Sequence, residues 1–141
     1  MSSVDFKFLQ STGTPDNEFI NGTSDDDYVY SYDNTQNRMT KISRDPFGVF
    51  IATFGQLGSG TSNYDFVQSM AVESAPDGKI LEMDHMNHRI KEETKTDFSF
   101  MREYGTLGLS ATSCYNPTGI TFDNRAVYVG DDSNQRILKI S

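Results

Sequence analysis

The sequence predicts an all-β chain made of three copies of one four-stranded unit. Two observations predict this class: a marker motif that recurs three times at a nearly constant spacing, and short β-branched and aromatic segments between the markers. The composition agrees, because 11 Gly, 7 Tyr, 10 Phe and no Trp in 141 residues suit strands and tight turns better than a helical bundle. The length fits one domain of ordinary size, so we expect a single domain over residues 1–141.

The first marker reads Asp, two variable residues, Asn or Gln, one variable residue, Arg and an apolar residue. Its copies occupy residues 33–39, 84–90 and 131–137. The nine shared polar positions are Asp33, Gln36, Arg38, Asp84, Asn87, Arg89, Asp131, Asn134 and Arg136. Asp and Asn can bind backbone groups in a tight connection, and Arg can lie across the unit and pair with the Asp. We therefore predict a structural role for all nine, with ligand binding as the alternative.

A second marker alternates with the first. A Phe is followed five positions later by a Gly at residues 8–13, 50–55 and 100–105. The glycines Gly13, Gly55 and Gly105 are expected where the backbone adopts conformations that other residues resist. Two different markers in a fixed order, each found three times, are hard to attribute to chance.

The segments between markers have the pattern of strands. Residues 28–32, 79–83 and 126–130 lead into the marker aspartates, and residues 38–42, 89–93 and 136–140 follow from the marker arginines. Further short segments precede them near residues 19–20, 69–72 and 119–122, and turn residues fill the gaps, including residues 45–48. Four antiparallel strands in each repeat of about 45–50 residues match one blade of a β-propeller.

At these residues the chain resembles the NHL-repeat family of β-propellers. The family pattern has Pro-x-Gly-Ile before the first strand, Asp-x-x-Asn-x-Arg-Ile between the second and third, and Phe-Gly-x-x-Gly after the fourth. The third repeat is closest, with Pro117, Gly119 and Ile120 ahead of its marker. The second has Gln68 at the Pro position, and the first has Met39 where the family has Ile. The resemblance covers nearly the whole chain and implies a six-bladed ring.

The phase of the repeat predicts an assembly, because three blades cannot close a ring. The chain begins with a fourth strand at about residues 4–13 and finishes with a third strand. We therefore expect half of a six-bladed β-propeller, completed by a second copy in a homodimer. The N-terminal strand of each copy would complete the last blade of the other by strand exchange, which would pair both exposed edges. The alternatives are a ring of three copies, an array of incomplete rings, or a fragment of a longer chain.

The sequence offers few residues for catalysis. His85 and His88 lie three apart beside Asp84, which permits a zinc site, but we expect variable turn residues there. The acidic residues 25–27 lack the spaced ligands of a calcium loop. Cys114 has no nearby partner for nucleophilic catalysis and is expected to be a small packed residue. We therefore predict no metal, no cofactor and no enzymatic activity.

Charge and hydropathy limit the partners. The net charge of −8 disfavours nucleic acid, because phosphate contacts come from Lys and Arg. No stretch approaches the roughly 20 apolar residues of a membrane helix. The first ten residues lack the basic and apolar regions of a signal peptide, so we expect a protein that is cytoplasmic or assembled into a particle.

The favoured function is that of a non-catalytic scaffold or protein-interaction module. We expect a structural subunit of a larger homomeric assembly, such as a virion, tail or fibre, with an unidentified protein or glycan on one ring face. Four residues in the long loops are candidate contacts, namely Tyr64, Phe66, Leu109 and Tyr115. Their alternative role is to cover the hydrophobic ends of the blades. The alternative functions are a carbohydrate- or small-ligand-binding propeller and a metal-dependent lyase or lactonase-like enzyme.

Overall fold

The described part of the chain folds into three antiparallel β-sheets. The computed structural model describes residues 11–13, 16–75, 77–108, 113–123 and 125–141. Sheet 1 contains β1 (Phe19–Ser24), β2 (Tyr28–Asp33), β3 (Arg38–Arg44) and β4 (Phe47–Phe54), in that order. Sheet 2 contains β5 (Val67–Val72), β6 (Lys79–Asp84), β7 (Arg89–Thr94) and β8 (Phe100–Tyr104). Sheet 3 contains β9 (Pro117–Phe122), β10 (Val127–Asp131) and β11 (Arg136–Ile140).

The all-β prediction is confirmed: the described residues contain eleven strands in sheets of four, four and three. The predicted N-terminal strand at about residues 4–13 lies outside the described residues except for its last three, and Leu109 also lies outside them. One predicted turn is shorter than expected, since β4 already begins at Phe47. The reason is the pairing of Arg44 with Phe47, which leaves only two residues for the turn.

The marker motif forms the connection between the second and third strands of each sheet. The first and sixth marker residues pair across the hairpin, as Asp33 with Arg38, Asp84 with Arg89 and Asp131 with Arg136. The variable residue before each Arg is left-handed, with φ of 51° at Asn37, 54° at His88 and 52° at Gln135. Asn tolerates this conformation better than most residues. In sheets 2 and 3 the connection includes a short 3-10 turn, at His85–Asn87 and Asp132–Asn134.

Sheet 2 lies between the other two sheets, and its strands β6 and β7 are buried on both faces. Its inner strand β5 contacts both β1 and β9. One core joins sheets 1 and 2, around Tyr30, Tyr32, Met39, Tyr64, Val67, Met70, Ile80 and Phe98. A second core joins sheets 2 and 3, around Leu81, Met83, Ile90, Cys114 and Val129. The alternation of side chains along β6 explains this arrangement, because Ile80 enters the first core and Leu81 the second.

No helix in the described ranges is long and apolar enough to cross a membrane.

Candidate interaction site

The marker of sheet 2 forms a buried hydrogen-bond network. Arg89 Nε donates to Asp84 Oδ2 at 2.8 Å, and Asn87 Nδ2 donates to the same oxygen at 2.8 Å. The other carboxylate oxygen of Asp84 accepts the amide of Asp65 at 2.7 Å, at the entry to β5. The Arg89 guanidinium also donates to the carbonyl oxygens of Ser59, Gly60 and Asn63 and to the Glu103 carboxylate. The motif thus holds the loop that precedes β5 against the hairpin.

Sheet 3 repeats this network. Arg136 Nε and Asn134 Nδ2 donate to Asp131 Oδ2 at 2.9 and 2.8 Å, and the Tyr115 amide donates to Asp131 Oδ1 at 2.7 Å. Burial alone would raise the pKa of Asp131, but these donors outweigh it and lower the pKa. The equivalent loop carbonyl, that of Ser113, accepts from Arg136 at 2.9 Å.

Sheet 1 keeps only part of the network. Asp33 accepts the amides of Glu18, Thr35 and Gln36 and the side-chain amide of Asn17. The buried Nε of Arg38 has no hydrogen-bond partner within the described part of the chain. The predicted pairing of Arg with Asp therefore occurs in sheets 2 and 3, where the fourth marker residue is Asn. It is not found among the described contacts of sheet 1, where that residue is Gln36.

The three marker glycines all have positive φ, at 120° for Gly13, 90° for Gly55 and 100° for Gly105. A Cβ at Gly55 would lie 2.2 Å from the ring of Tyr64, and one at Gly105 would lie 2.8 Å from Cys114 Sγ. At Gly55 and Gly105 the chain therefore needs glycine for both backbone conformation and close packing.

The two histidines connect sheet 2 to the entry of sheet 3. His85 Nδ1 lies 2.9 Å from the carbonyl oxygen of Pro117, and the ring of His88 lies 5.7 Å from that of Tyr115. Among the described residues, no group of three or more His, Cys, Asp or Glu side chains is arranged to hold a metal ion.

The structure separates the predicted contact residues. Tyr64 is 1% exposed, so its prediction as a contact residue is wrong: its ring lies in the first core and its hydroxyl donates to Glu93 Oε2 at 2.6 Å. Phe66 is half-buried against His85. Tyr115 is 38% exposed and remains accessible.

The outer edge of β11 is the main candidate site for a partner. β4 and β8 cover the outer edges of β3 and β7, whereas β11 pairs with β10 alone among the described strands. A groove of about 370 Å³ lies between β11 and sheet 2. Its apolar wall includes Leu81, Ile90 and Tyr104 from sheet 2 and Ile140 from β11. Arg102 and Lys139 also line it. An extended segment could add to β11 here through backbone hydrogen bonds.

The first described residues occupy a repeated position. Phe54, at the end of β4, stacks on Phe98 of sheet 2 with ring centroids 4.4 Å apart. In the repeat, Thr12 corresponds to Phe54 and Gly48 corresponds to Phe98. Thr12 Oγ1 donates to the Gly48 carbonyl at 3.1 Å. Residue 12 therefore lies against sheet 1 as the end of β4 lies against sheet 2.

A cluster that sequence reasoning missed lies between sheets 1 and 2. Glu82, Lys91 and Glu93 are each 0% exposed. A signal was present, because Glu82 is two residues from Ile80 on the same strand and so shares its inward face. Strand alternation alone does not show that a charged residue on that face is buried.

No protein-family model matches the chain, and no curated protein matches its sequence. Comparison with solved structures gives three informative similarities, all at low sequence identity. A catalytically inactive virginiamycin B lyase from Staphylococcus aureus, solved with quinupristin, has a TM-score of 0.61 and 18% identity over 91% of this chain. The glutaminyl cyclase of Myxococcus xanthus has a TM-score of 0.54 and 13% identity over 84% of this chain. A protein from Bacteroides fragilis has a TM-score of 0.53 and 15% identity over 91%.

This chain covers 39%, 46% and 52% of the lengths of those three proteins, respectively. At such identities the similarity concerns the fold alone. The chain therefore has a β-propeller fold.

Proposed function

We propose that this chain is a non-catalytic, NHL-like propeller scaffold that forms half of a six-bladed ring and is completed by a second copy. In this role it would be a structural subunit of a larger homomeric assembly, such as a virion, tail or fibre. The observation that carries the proposal is the outer edge of β11, which pairs with no further strand among the described residues and lies beside a groove with an apolar wall. Unpaired edges invite association with another strand, so natural proteins cover them.

The N-terminal strand of the second copy, at about residues 4–13, is the proposed occupant of that edge. The contact between Thr12 and Gly48 supports this, because it is equivalent to the contact between Phe54 and Phe98 of neighbouring sheets. A sheet that receives residues 4–13 would thus be the next neighbour of sheet 1. Sheet 3 of the same chain is not a neighbour of sheet 1, because sheet 2 lies between them. The sheet that receives residues 4–13 would therefore be sheet 3 of the second copy.

The equivalent hairpins give a register for the proposed pairing. Met39 pairs with Phe54 in sheet 1, and Ile90 pairs with Tyr104 in sheet 2. The same register would place Ile137 of one copy opposite Thr12 of the other. Ile137 is 74% exposed in the single chain, so a second copy would cover it.

Cross-linking tests the strand exchange. A Thr12→Cys chain mixed with an Ile137→Cys chain and a short thiol cross-linker should give a covalent dimer. Thr12→Cys mixed with Met86→Cys is the matched control, because Met86 is also exposed, at 55%, but lies in the turn after β6. Equal yields from both mixtures would overturn the proposed pairing. Deletion of residues 1–10 should abolish the dimer.

Small-ligand or carbohydrate binding is the second candidate function. A cavity of about 730 Å³ lies among the inner strands, lined by Thr23 of β1, Met70 of β5 and Ile120 of β9, with Glu73 as a charged group. A signal on a glycan array, lost in a Glu73→Gln variant, would favour this function. Detection of the protein in purified particles or filaments would favour the scaffold.

A metal-dependent enzyme is the third candidate, since two of the similar structures are a lyase and a cyclase. Turnover together with a metal content of one per ring would favour it over both other functions. A glycan or particle signal without turnover would reject it.

A further inference from the structure

Glu82 is a buried carboxyl group without a hydrogen-bond donor among the described residues. It lies in the middle of β6, opposite Met70 on β5 and Lys91 on β7, and is 0% exposed. Neither of its carboxyl oxygens accepts a hydrogen bond from a described residue. Buried polar groups are nearly always hydrogen-bonded, so an ionised Glu82 would be unusual and costly.

The nearby cation is already paired. Lys91 Nζ lies 2.6 Å from Glu93 Oε1 and 3.8 Å from the centroid of the Tyr64 ring. The Tyr64 hydroxyl donates to Glu93 Oε2 at 2.6 Å. Glu93 Oε1 is close enough to Lys91 for an ion pair but is not aligned for a hydrogen bond, so it can still accept one.

The count of charges leaves one proton to be placed. The cluster contains two carboxyl groups and one ammonium group. Glu82 and Glu93 are diagonal neighbours on one face of sheet 2, since Glu82 pairs with Lys91 and Glu93 with Ile80, and two neighbouring carboxylates cannot both ionise easily. Burial, and then the neighbouring Glu93, raise the pKa of Glu82 well above its ordinary value, while Lys91 acts in the opposite direction. A neutral Glu82 would donate a hydrogen bond from its O–H to Glu93, which would balance the charges and satisfy both groups.

We propose that Glu82 and Glu93 share one proton and form a pH-sensitive cluster on the face of sheet 2 that packs against sheet 1, and that this packing is stable while Glu82 is neutral and weakens as Glu82 ionises. The groups around Glu82 are consistent with this. Asp84 is already paired with Arg89, and sheet 1 contributes the uncharged Tyr32 and Met39 to the same core. Glu82 interacts electrostatically with the ionisable groups of Glu93, Lys91, Asp84 and Tyr64.

The sign of the pH dependence follows from linkage. The folded chain retains a proton that the unfolded chain releases, so this group's stabilising contribution is complete at low pH. The contribution is lost as the pH rises from the ordinary value for Glu, about 4.3, to the raised value in the folded state. One retained proton changes the unfolding constant about tenfold per pH unit over that window.

Equilibrium unfolding of the full chain between pH 6 and pH 9, at fixed protein concentration, tests the proposal. Glu82→Gln keeps the shape and the neutral state. Relative to this variant, the unfolding constant of the parent chain should rise about tenfold per pH unit at the lower end of this range and level off where Glu82 ionises in the folded chain. Glu92→Gln is the matched control, because Glu92 faces away from the cluster and pairs with Lys79 and Arg102. It should differ from the parent by a constant factor. Parallel curves for the parent and Glu82→Gln would overturn the proposal.

Infrared spectroscopy gives a readout that does not depend on how well the variant folds. The parent chain at neutral pH should show the carbonyl stretch of a protonated carboxyl group, shifted in heavy water. A Glu82→Asp chain, which shortens the reach to Glu93, should show it shifted or lost. Absence of the band from the folded parent chain would equally overturn the proposal.

Discussion

The three equivalent arginines provide a graded test of the marker motif. We predict that replacement by Met, which retains much of the apolar stem, destabilises the protein most at Arg89, less at Arg136 and least at Arg38. The order follows from the hydrogen bonds of each guanidinium group. The three substitutions make the same chemical change at equivalent positions of three sheets, so each serves as a control for the others.

The magnitudes follow from burial and partners. Arg89→Met would leave Asp84, which is 0% exposed, without its cation, and would remove the donor from three loop carbonyls. Removing one member of a buried ion pair costs about 3–5 kcal/mol. The Arg136 side chain is 28% exposed, so water can replace part of its contribution and we expect a loss of about 1–3 kcal/mol. Arg38 Nε has no described partner, so its loss should be below about 1 kcal/mol.

Urea unfolding at one protein concentration measures these differences through the midpoint and slope of each transition. The expected result is an unchanged slope with midpoints that fall most for Arg89→Met. Equal losses at all three positions, or a larger loss at Arg38 than at Arg89, would refute the assigned network.

Three further outcomes follow from the same geometry. Gly55→Ala should lower the free energy of unfolding in urea by about 2 kcal/mol or more, because Gly55 has a φ of 90° and a Cβ there would clash with the Tyr64 ring. Gly119→Ala is the control, because a Cβ there meets open space, and it should cost less than about 1 kcal/mol. Similar losses for the two variants would contradict this. Burial raises the pKa of Cys114 to about 11, so a thiol reagent at pH 8 should react only at the rate of unfolding, and rapid labelling would contradict the packing. Burial opposes ionisation of Asp25, but Lys95 and backbone amides outweigh it and lower the pKa to about 2. Its stabilising contribution should therefore be lost as the pH falls from 4 to 2 in acid unfolding, and an Asp25→Asn chain that showed the same loss would contradict this.

The repeat pattern predicted most of the fold because the same local interactions recur. The spacing from Asp to Arg is set by a connection with one left-handed residue, which is Asn37, His88 or Gln135. The positive φ of the marker glycines Gly13, Gly55 and Gly105 was predictable because these glycines also recur at one position of the repeat. The structural similarities concern the propeller fold in general.

Side-chain burial was harder to predict, because it depends on the neighbouring sheet. Tyr64 lies in a loop by sequence, yet its ring fills the space beside Gly55 and between sheets 1 and 2. Glu82 and Lys91 look like exposed strand residues, but sheet 1 covers the face on which they lie. Tyr32, whose ring packs against that of Tyr64, is 32 residues away, and sheet 1 ends at Phe54, 28 residues before Glu82, so no local pattern indicates either burial.

The mass of the native protein tests the central claim most directly. If this polypeptide is half of a ring, native mass spectrometry of the 141-residue chain should give twice the mass of one chain, and removal of residues 1–10 should return a single-chain mass. A folded, stable single-chain species at micromolar concentration would contradict the account.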